Sequence, residues 1–184
     1  MNPNILSLAR THAPCYIYEY EKLRTQAETL HTVFPAFDFL FSVKANPYPP
    51  VLKALNSFGI GADAASAQEV LLAEKCGMPR ENIYFSAAGK SDQALLTAWE
   101  HGYLIADSLG EVERIGALAA SKGENRAIGV RLNPDFSIGG GKGHASKFGI
   151  DEGDLPRLKA LLDTLPVTVE GLHIHLKSQN LDAD

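Results

Sequence analysis

Short apolar runs alternate with helical patterns along most of this chain. The runs recur about every 20 to 25 residues, and each is followed by apolar positions at three-to-four-residue spacing. This alternation predicts βα units, in which successive strands lie parallel in one sheet. The predicted strands are residues 15–18, 38–44, 60–64, 83–86, 104–107, 127–132 and 167–175. The predicted helices are residues 21–34, 50–58, 66–76, 91–101, 109–121 and 155–164.

Helix boundaries and one long loop carry chemical signals. Pro50 suits the first turn of a helix that stops before Gly59, and Ser66 and Glu69 have the spacing of a capping box. Residues 133–153 form a loop that is long enough to indicate a function. It contains a glycine-rich run at residues 139–143, for which a flexible lid or connection is the favoured interpretation.

The strand predicted at residues 38–44 delivers a lysine to its carboxyl end. Alternate strand residues face opposite sides, so Ser42 and Lys44 share the side opposite Phe41 and Val43. In a barrel, Lys44 would enter the cavity at its mouth. A partly desolvated amine there loses proton affinity and can form an imine with an aldehyde. The alternative is a lysine whose stem lies on the protein while its amine extends into water.

Polar side chains accumulate where the predicted strands end, the edge at which βα enzymes build their sites. They are Lys44, Asp63, Ser86, Asp107, Arg131, His173 and His175. The two histidines share one predicted strand face, which could hold a metal. No Cys/His cluster or HExxH pattern supplies further ligands, so ring-stacking or polar-network roles are favoured and no metal is expected.

A phosphate-loop pattern can be rejected from its spacing. Gly89, Lys90 and Ser91 resemble the end of a Walker A motif, but Tyr84 stands where the first glycine is required. An ATPase is therefore disfavoured.

Composition limits the classes of protein that remain. A chain of 184 residues with 45% hydrophobic content fits one domain or part of a larger one. A net charge of −5 argues against non-specific nucleic-acid binding, and no apolar run is long enough for a membrane span. Cys15 and Cys76 form no close pair, which favours reduced thiols and a cytoplasmic protein.

Four segments in order carry a resemblance to a known family. They are residues 43–46 (Val-Lys-Ala-Asn), 105–109 (Ile-Ala-Asp-Ser-Leu), 130–134 together with 146–149 (Ser-Lys-Phe-Gly), and 171–179. The chain resembles the amino-terminal part of the pyridoxal-phosphate-dependent decarboxylases of the ornithine/diaminopimelate/arginine group, which share a fold with alanine racemase. The resemblance implies an α/β fold, a partial TIM-type (β/α) barrel with about six of eight strands. It implies a single partial domain over residues 1–184 and leaves open whether a strand in residues 1–20 belongs with a carboxyl-terminal β domain.

The resemblance also implies site residues for the cofactor pyridoxal 5'-phosphate. Lys44 would be bonded to the cofactor, and His175 would stack on its ring. Ser178 would lie near the phosphate, Asp63 near Lys44, and Arg131 among the groups around the ring. Purely structural roles stay open: His175 could fill the interior, Arg131 could neutralise Asp63 or Asp107, and Ser178 could cap a helix.

Two departures from the family pattern affect function. Lys177 replaces the usual glycine before Ser178, which leaves the substrate open. The chain stops after about six of the eight barrel strands, so it is expected to be a fragment that is inactive alone. Its exposed strand edges and apolar surface should make it associate, pack on itself or be only marginally stable.

The resemblance implies that the full-length enzyme, called the parent below, is a cytoplasmic homodimer. Its implied activity is decarboxylation of ornithine, lysine, arginine or diaminopimelate. A racemase of the same fold is disfavoured because Tyr48 is followed by two prolines instead of Gly-His-Gly. A non-catalytic binding homologue is the third possibility.

Overall fold

Parallel strands form one open sheet in the computed structural model, which describes residues 3–137, 141–143 and 146–176. In that part of the chain the strands are β1 (Leu40–Ser42), β2 (Gly61–Ala64), β3 (Ile83–Phe85), β4 (Tyr103–Ala106), β5 (Arg126–Asn133), β6 (Ile150–Asp151) and β7 (Val167–Ile174). Strands β1 to β5 are neighbours in chain order, and β7 pairs with β5. The two-residue β6 pairs with the end of β5. The predicted α/β fold, a partial barrel, is confirmed.

Seven α-helices accompany this sheet in the described part of the chain, and those that contribute to the main core lie on one side of it. The helices are α1 (Pro3–His12), α2 (Tyr20–Val33), α3 (Pro49–Ser57), α4 (Ala67–Lys75), α5 (Asp92–His101), α6 (Leu109–Lys122) and α7 (Leu155–Leu162). The main core lies between sheet and helices, where strand residues such as Phe85 and Leu104 pack with helix residues such as Leu52 and Ile115. Within the part of the chain that the structure describes, no helix is long and apolar enough to cross a membrane.

Serine caps begin three of the helices close to strand ends. The Oγ atoms of Ser66, Ser91 and Ser108 each accept a hydrogen bond of 3.2 Å from the backbone amide three residues later. The Glu69 carboxylate in turn accepts a bond from the Ala65 amide, 2.7 Å long. These bonds satisfy amides that the first helical turn leaves unpaired, so they fix where each helix starts relative to the preceding strand.

Strand alternation separates an apolar from a polar sheet face. Ala62, Phe85 and Val130 face the helices, whereas the residues next to them in sequence face the other way. On that second face Ser42 lies beside Asp63 and Arg131 lies beside His173 in the strand register. The polar strand ends are therefore gathered along one edge.

The structure corrects four element predictions. No strand forms at residues 15–18, which pair with no strand in the described chain, and Tyr16 is 90% exposed. Whether these residues belong with a carboxyl-terminal β domain stays a prediction. Helix α1 was not predicted, and β6 lies inside the loop predicted at residues 133–153. The strand predicted at residues 38–44 is shorter, because pairing with β2 ends at Ser42 and Val43–Ala45 form a 3-10 turn. The other predicted boundaries agree within about two residues.

Candidate active site

A carboxylate joins the carboxyl ends of the first three strands. Asp63 Oδ2 accepts a hydrogen bond of 3.2 Å from Ser42 Oγ. Asp63 Oδ1 accepts a second, shorter bond from Ser86 Oγ. Ser42 ends β1, and Ser86 directly follows β3, so Asp63 connects three neighbouring strands. The predicted position of Asp63 near Lys44 and its role toward a cofactor both stay predictions.

An ion pair joins β5 to the end of β4. Arg131 Nη1 lies 3.1 Å from Asp107 Oδ1, and the two side chains are only 14% and 6% exposed. The Arg131 guanidinium also lies 4.8 Å from the ring centre of Phe148, within the range of a cation–π contact. Of the two structural alternatives considered for Arg131, pairing with Asp107 is the one observed. The guanidinium is therefore held from two sides.

His173 lies beside Arg131 and faces several charges. Burial is the largest cause that lowers the pKa of its imidazole, and Arg131 lowers it further. Asp63 and Asp107 act in the opposite direction, which places both carboxylates near this ring. His173 Nδ1 is buried and has no hydrogen-bond partner among the described residues. The hydrogen-bonded Asp63 and the Arg131–Asp107 ion pair therefore both act on His173, whose imidazole is neutral.

Two of the remaining predicted site residues, Lys44 and His175, are exposed. Lys44 is exposed in the 3-10 turn after β1, and within the described ranges it forms no hydrogen bond or ion pair. His175 is exposed and directly follows β7, whereas His173 is half-buried within that strand. The half-buried His173 agrees with the expectation of an inward-facing histidine, and the direction of His175 stays a prediction. Ser178 lies outside the described residues, as does Lys177.

Sequence reasoning missed a buried ion pair behind the site. Lys90 and Glu111 lie 2.8 Å apart, with side chains 0% and 2% exposed. The spacing of Ser108 and Glu111, which is that of a capping box, is the sequence signal that could have drawn attention to Glu111. Because its amine is bonded inside the fold, Lys90 has no role in a phosphate loop.

Comparison with known protein families shows which family the chain belongs to. Residues 20–184 match the family described as "Pyridoxal-dependent decarboxylase, pyridoxal binding domain". The chain therefore belongs to this family, and its cofactor is pyridoxal phosphate.

Particular relatives show which enzymes the chain is similar to. It is 32% identical to diaminopimelate decarboxylase of Bacteroides thetaiotaomicron, over 92% of this chain and 47% of the relative. It is also 32% identical to the L-glutamyl-(BtrI acyl-carrier protein) decarboxylase of Niallia circulans, over 95% of this chain and 43% of that one. The crystal structure of Helicobacter pylori diaminopimelate decarboxylase complexed with L-lysine superposes with a TM-score of 0.83 at 28% identity, over 97% of this chain and 48% of that one. The chain spans about half the length of the curated relatives that it matches.

The residues at the carboxyl edge fit pyridoxal phosphate. The cofactor is an aldehyde, which bonds to the protein through an amine. Lys44 supplies an exposed amine that forms no hydrogen bond or ion pair with the described residues. An anionic, planar cofactor requires cationic and hydrogen-bonding groups, and Arg131 and the unpartnered His173 Nδ1 lie at the same edge. This donor set matches the chemistry of the cofactor.

Proposed function

We propose that this chain is the cofactor-binding part of a pyridoxal-phosphate-dependent decarboxylase that acts on a basic or diamino acid. The observation that carries the proposal is the exposed amine of Lys44 at the carboxyl edge of a sheet belonging to the pyridoxal-binding family. Asp63 and Arg131 lie along the same edge, each held by other side chains. Such fixed polar groups are what a preorganised site requires.

Each residue has a role in this proposal. Lys44 binds the aldehyde carbon of the cofactor, and Asp63, fixed by Ser42 and Ser86, provides a negative charge near that amine. Arg131 supports groups around the ring, His175 stacks on its face, and Ser178 contacts the phosphate. Bound pyridoxal phosphate supplies the electron sink that decarboxylation of an amino acid needs.

The substrate class rests on the relatives. The Bacteroides relative is named for diaminopimelate, and the Helicobacter enzyme was solved with L-lysine. The Niallia relative, equally similar, is named for an L-glutamyl group on a carrier protein. Overall identity therefore does not select between a diaminopimelate and an L-glutamyl substrate. Ornithine, lysine, arginine and diaminopimelate are the candidates to test.

We also infer a homodimeric, cytoplasmic parent enzyme. The homodimer follows from the family resemblance. Support for a reducing compartment comes from the cysteines, since Cys15 and Cys76 are both free thiols in this structure.

The test uses the full-length parent and the 184-residue chain side by side. Borohydride reduction of the parent with pyridoxal phosphate should fix the cofactor to Lys44, as found by peptide mapping. Lys44→Ala should abolish both labelling and turnover, because it removes the amine that bonds to the cofactor. Lys53→Ala, which removes another exposed lysine, is the matched control.

Carbon dioxide release from ornithine, lysine, arginine and diaminopimelate then identifies the substrate. The parent should release it from at least one of them, and the 184-residue chain from none. Label on a different lysine would reject the role of Lys44. Racemisation by the parent without carbon dioxide release would replace the decarboxylase with a racemase. Absence of turnover on all four amino acids would reject the basic or diamino acid class, and failure of Lys44 to form an imine would favour the non-catalytic homologue.

A further inference from the structure

Lys90 is a charged residue that lies entirely inside the fold. Its Nζ donates hydrogen bonds to Glu111 Oε2 at 2.8 Å, to the Ile105 carbonyl at 2.7 Å and to the Ala87 carbonyl. An ammonium group has three N–H bonds, so each has an acceptor. Burial lowers the pKa of Lys90, and the nearby Glu111 carboxylate is the largest influence in the opposite direction.

Glu111 connects three parts of the fold at this point. Besides the Lys90 amine, its carboxylate accepts bonds from the backbone amides of Lys90 and Asp107, each 3.0 Å long. These amides belong to the loop after β3 and to the end of β4, while Glu111 lies in the first turn of α6. One buried carboxylate therefore fixes two strand ends against the start of a helix.

Asp107 links Glu111 to the candidate site by hydrogen bonds. The Asp107 backbone amide is held by Glu111, and the Asp107 side chain is bonded to Arg131 at 3.1 Å. Arg131 lies beside His173 in the register of β5 and β7. Two bonds thus separate Glu111 from the guanidinium at the cofactor edge.

We propose that Lys90 and Glu111 are positioning residues for the cofactor site, which hold Asp107 so that it keeps Arg131 directed toward the bound cofactor. This inference rests on the proposed function and deepens it. Neither residue touches the cofactor, and both act through the Asp107–Arg131 pair.

An apolar pair would fill the same space without positioning Asp107. Replacing a buried ion pair with apolar residues of similar volume often leaves stability unchanged or raises it, because the charges no longer need to be desolvated. Methionine at residue 90 and leucine at residue 111 would fill similar space. They could not accept the hydrogen bond of the Asp107 amide, and this difference separates a positioning role from a structural one.

The test compares variants of the full-length parent by their dissociation constant for pyridoxal phosphate and by urea unfolding. Glu111→Gln should weaken cofactor binding about tenfold, the size of coupling typical of residues in one hydrogen-bond network. Lys90→Met combined with Glu111→Leu leaves the amides of Lys90 and Asp107 without their acceptor, so this variant should unfold at a lower urea concentration than the wild type and bind the cofactor as weakly as Glu111→Gln. Ile115→Ala is the matched control, because it removes fully buried apolar volume from the same helix without altering the network.

A double-mutant cycle shows whether Glu111 acts through Arg131. If it does, Glu111→Gln should weaken cofactor binding little further in a chain that already carries Arg131→Gln. Additive effects in the cycle would overturn the inference, as would wild-type cofactor affinity in the folded Lys90→Met, Glu111→Leu variant. If Ile115→Ala weakened cofactor binding as much as Glu111→Gln does, the positioning role would also be rejected, because loss of stability alone would explain the weaker binding.

A measurement without cofactor separates this inference from the proposed function. NMR titration of His173, which faces Arg131, Asp63, His175 and Asp107, should give a changed pKa in Glu111→Gln and an unchanged one in Ile115→Ala. A wild-type parent that binds no pyridoxal phosphate would reject the proposed function, while the His173 titration still reports on positioning. A His173 pKa unaffected by Glu111→Gln would overturn the positioning role alone.

Discussion

The imidazole of His173 is held neutral by its surroundings. Burial and the Arg131 guanidinium both lower its pKa, and these effects outweigh the carboxylates of Asp63 and Asp107. A neutral imidazole keeps one nitrogen as a hydrogen-bond acceptor, whereas a charged ring has two donors and no acceptor. A neutral His173 at the cofactor edge can therefore accept a proton or a hydrogen bond.

The lowered pKa of His173 predicts a pH-dependent stability. Below the ordinary histidine pKa of 6.5 the unfolded chain binds a proton at this residue that the folded chain does not. Folding stability is therefore lost as the pH falls through 6.5 toward the lower folded-state pKa, and no such loss occurs above it. His173→Gln should lose less stability on acidification than the wild type, measured by urea unfolding at a series of pH values.

A matched substitution controls for removing a histidine. His12→Gln changes an exposed histidine on α1, outside the candidate site. If His173→Gln and the wild type lose equal stability between pH 7.5 and pH 5.5, His173 does not carry the buried, neutral state assigned to it.

Site residues could be predicted from sequence only up to their position on a strand. Asp63 and Arg131 follow from the rule that polar side chains at parallel strand ends gather at one edge. The partners of these side chains could not be predicted in this way. Arg131 and Asp107 are 24 residues apart in the chain, and only the pairing of the strands brings them together. The Lys90–Glu111 pair depends in the same way on how α6 packs against the loop after β3.

At the scale of elements, the loop after β5 is anchored on the site. Phe148 stacks on Arg131, and the next residue, Gly149, has a φ of +82°. A Cβ atom on Gly149 would lie 3.0 Å from the backbone nitrogen of Asn133. Only glycine meets both conditions without strain, so this turn sets Phe148 against the guanidinium.

Gly149→Ala should therefore destabilise the protein and weaken its site. The left-handed backbone alone costs about 1–2 kcal/mol for a residue with a side chain. Gly123→Ala is the matched control, because Gly123 has a φ of +66° at the end of α6 and open space around it. Gly149→Ala should lower the free energy of unfolding more than Gly123→Ala does, and it alone should weaken binding of pyridoxal phosphate by the parent. If both substitutions lowered the free energy of unfolding equally and left cofactor binding equal, the close approach of Gly149 to Asn133 in β5 would have no importance for the site.

Elements were predicted well where pattern and pairing agree. Strands β2 to β5 and helices α3 to α6 form consecutive βα units, so each local pattern is reinforced by its neighbours. The strand predicted at residues 15–18 has the aromatic and β-branched composition of a strand, but the described chain offers it no partner. Composition favours a strand, and hydrogen bonding to a neighbour decides whether one forms.

On the scale of the whole molecule, the open sheet exposes apolar surface on its last strand. Leu172 lies beside the fully buried Val130 in the strand register, yet it is 65% exposed. Ile174, two residues further on, is 47% exposed on the same face. Val130 is buried in the core beneath the helices, whereas no described helix covers β7 at Leu172 and Ile174. An apolar strip of this kind favours association.

The 184-residue chain should consequently self-associate through β7. Sedimentation velocity over a range of protein concentrations should show species larger than the monomer, because burying this strip removes apolar side chains from water. Leu172→Lys should shift the distribution toward the monomer by placing a charge in the strip. Val33→Lys is the matched control, since Val33 is 60% exposed but lies on helix α2, away from β7. A monomer at every concentration, or an equal response to the two lysine substitutions, would show that the exposed face of β7 does not drive association.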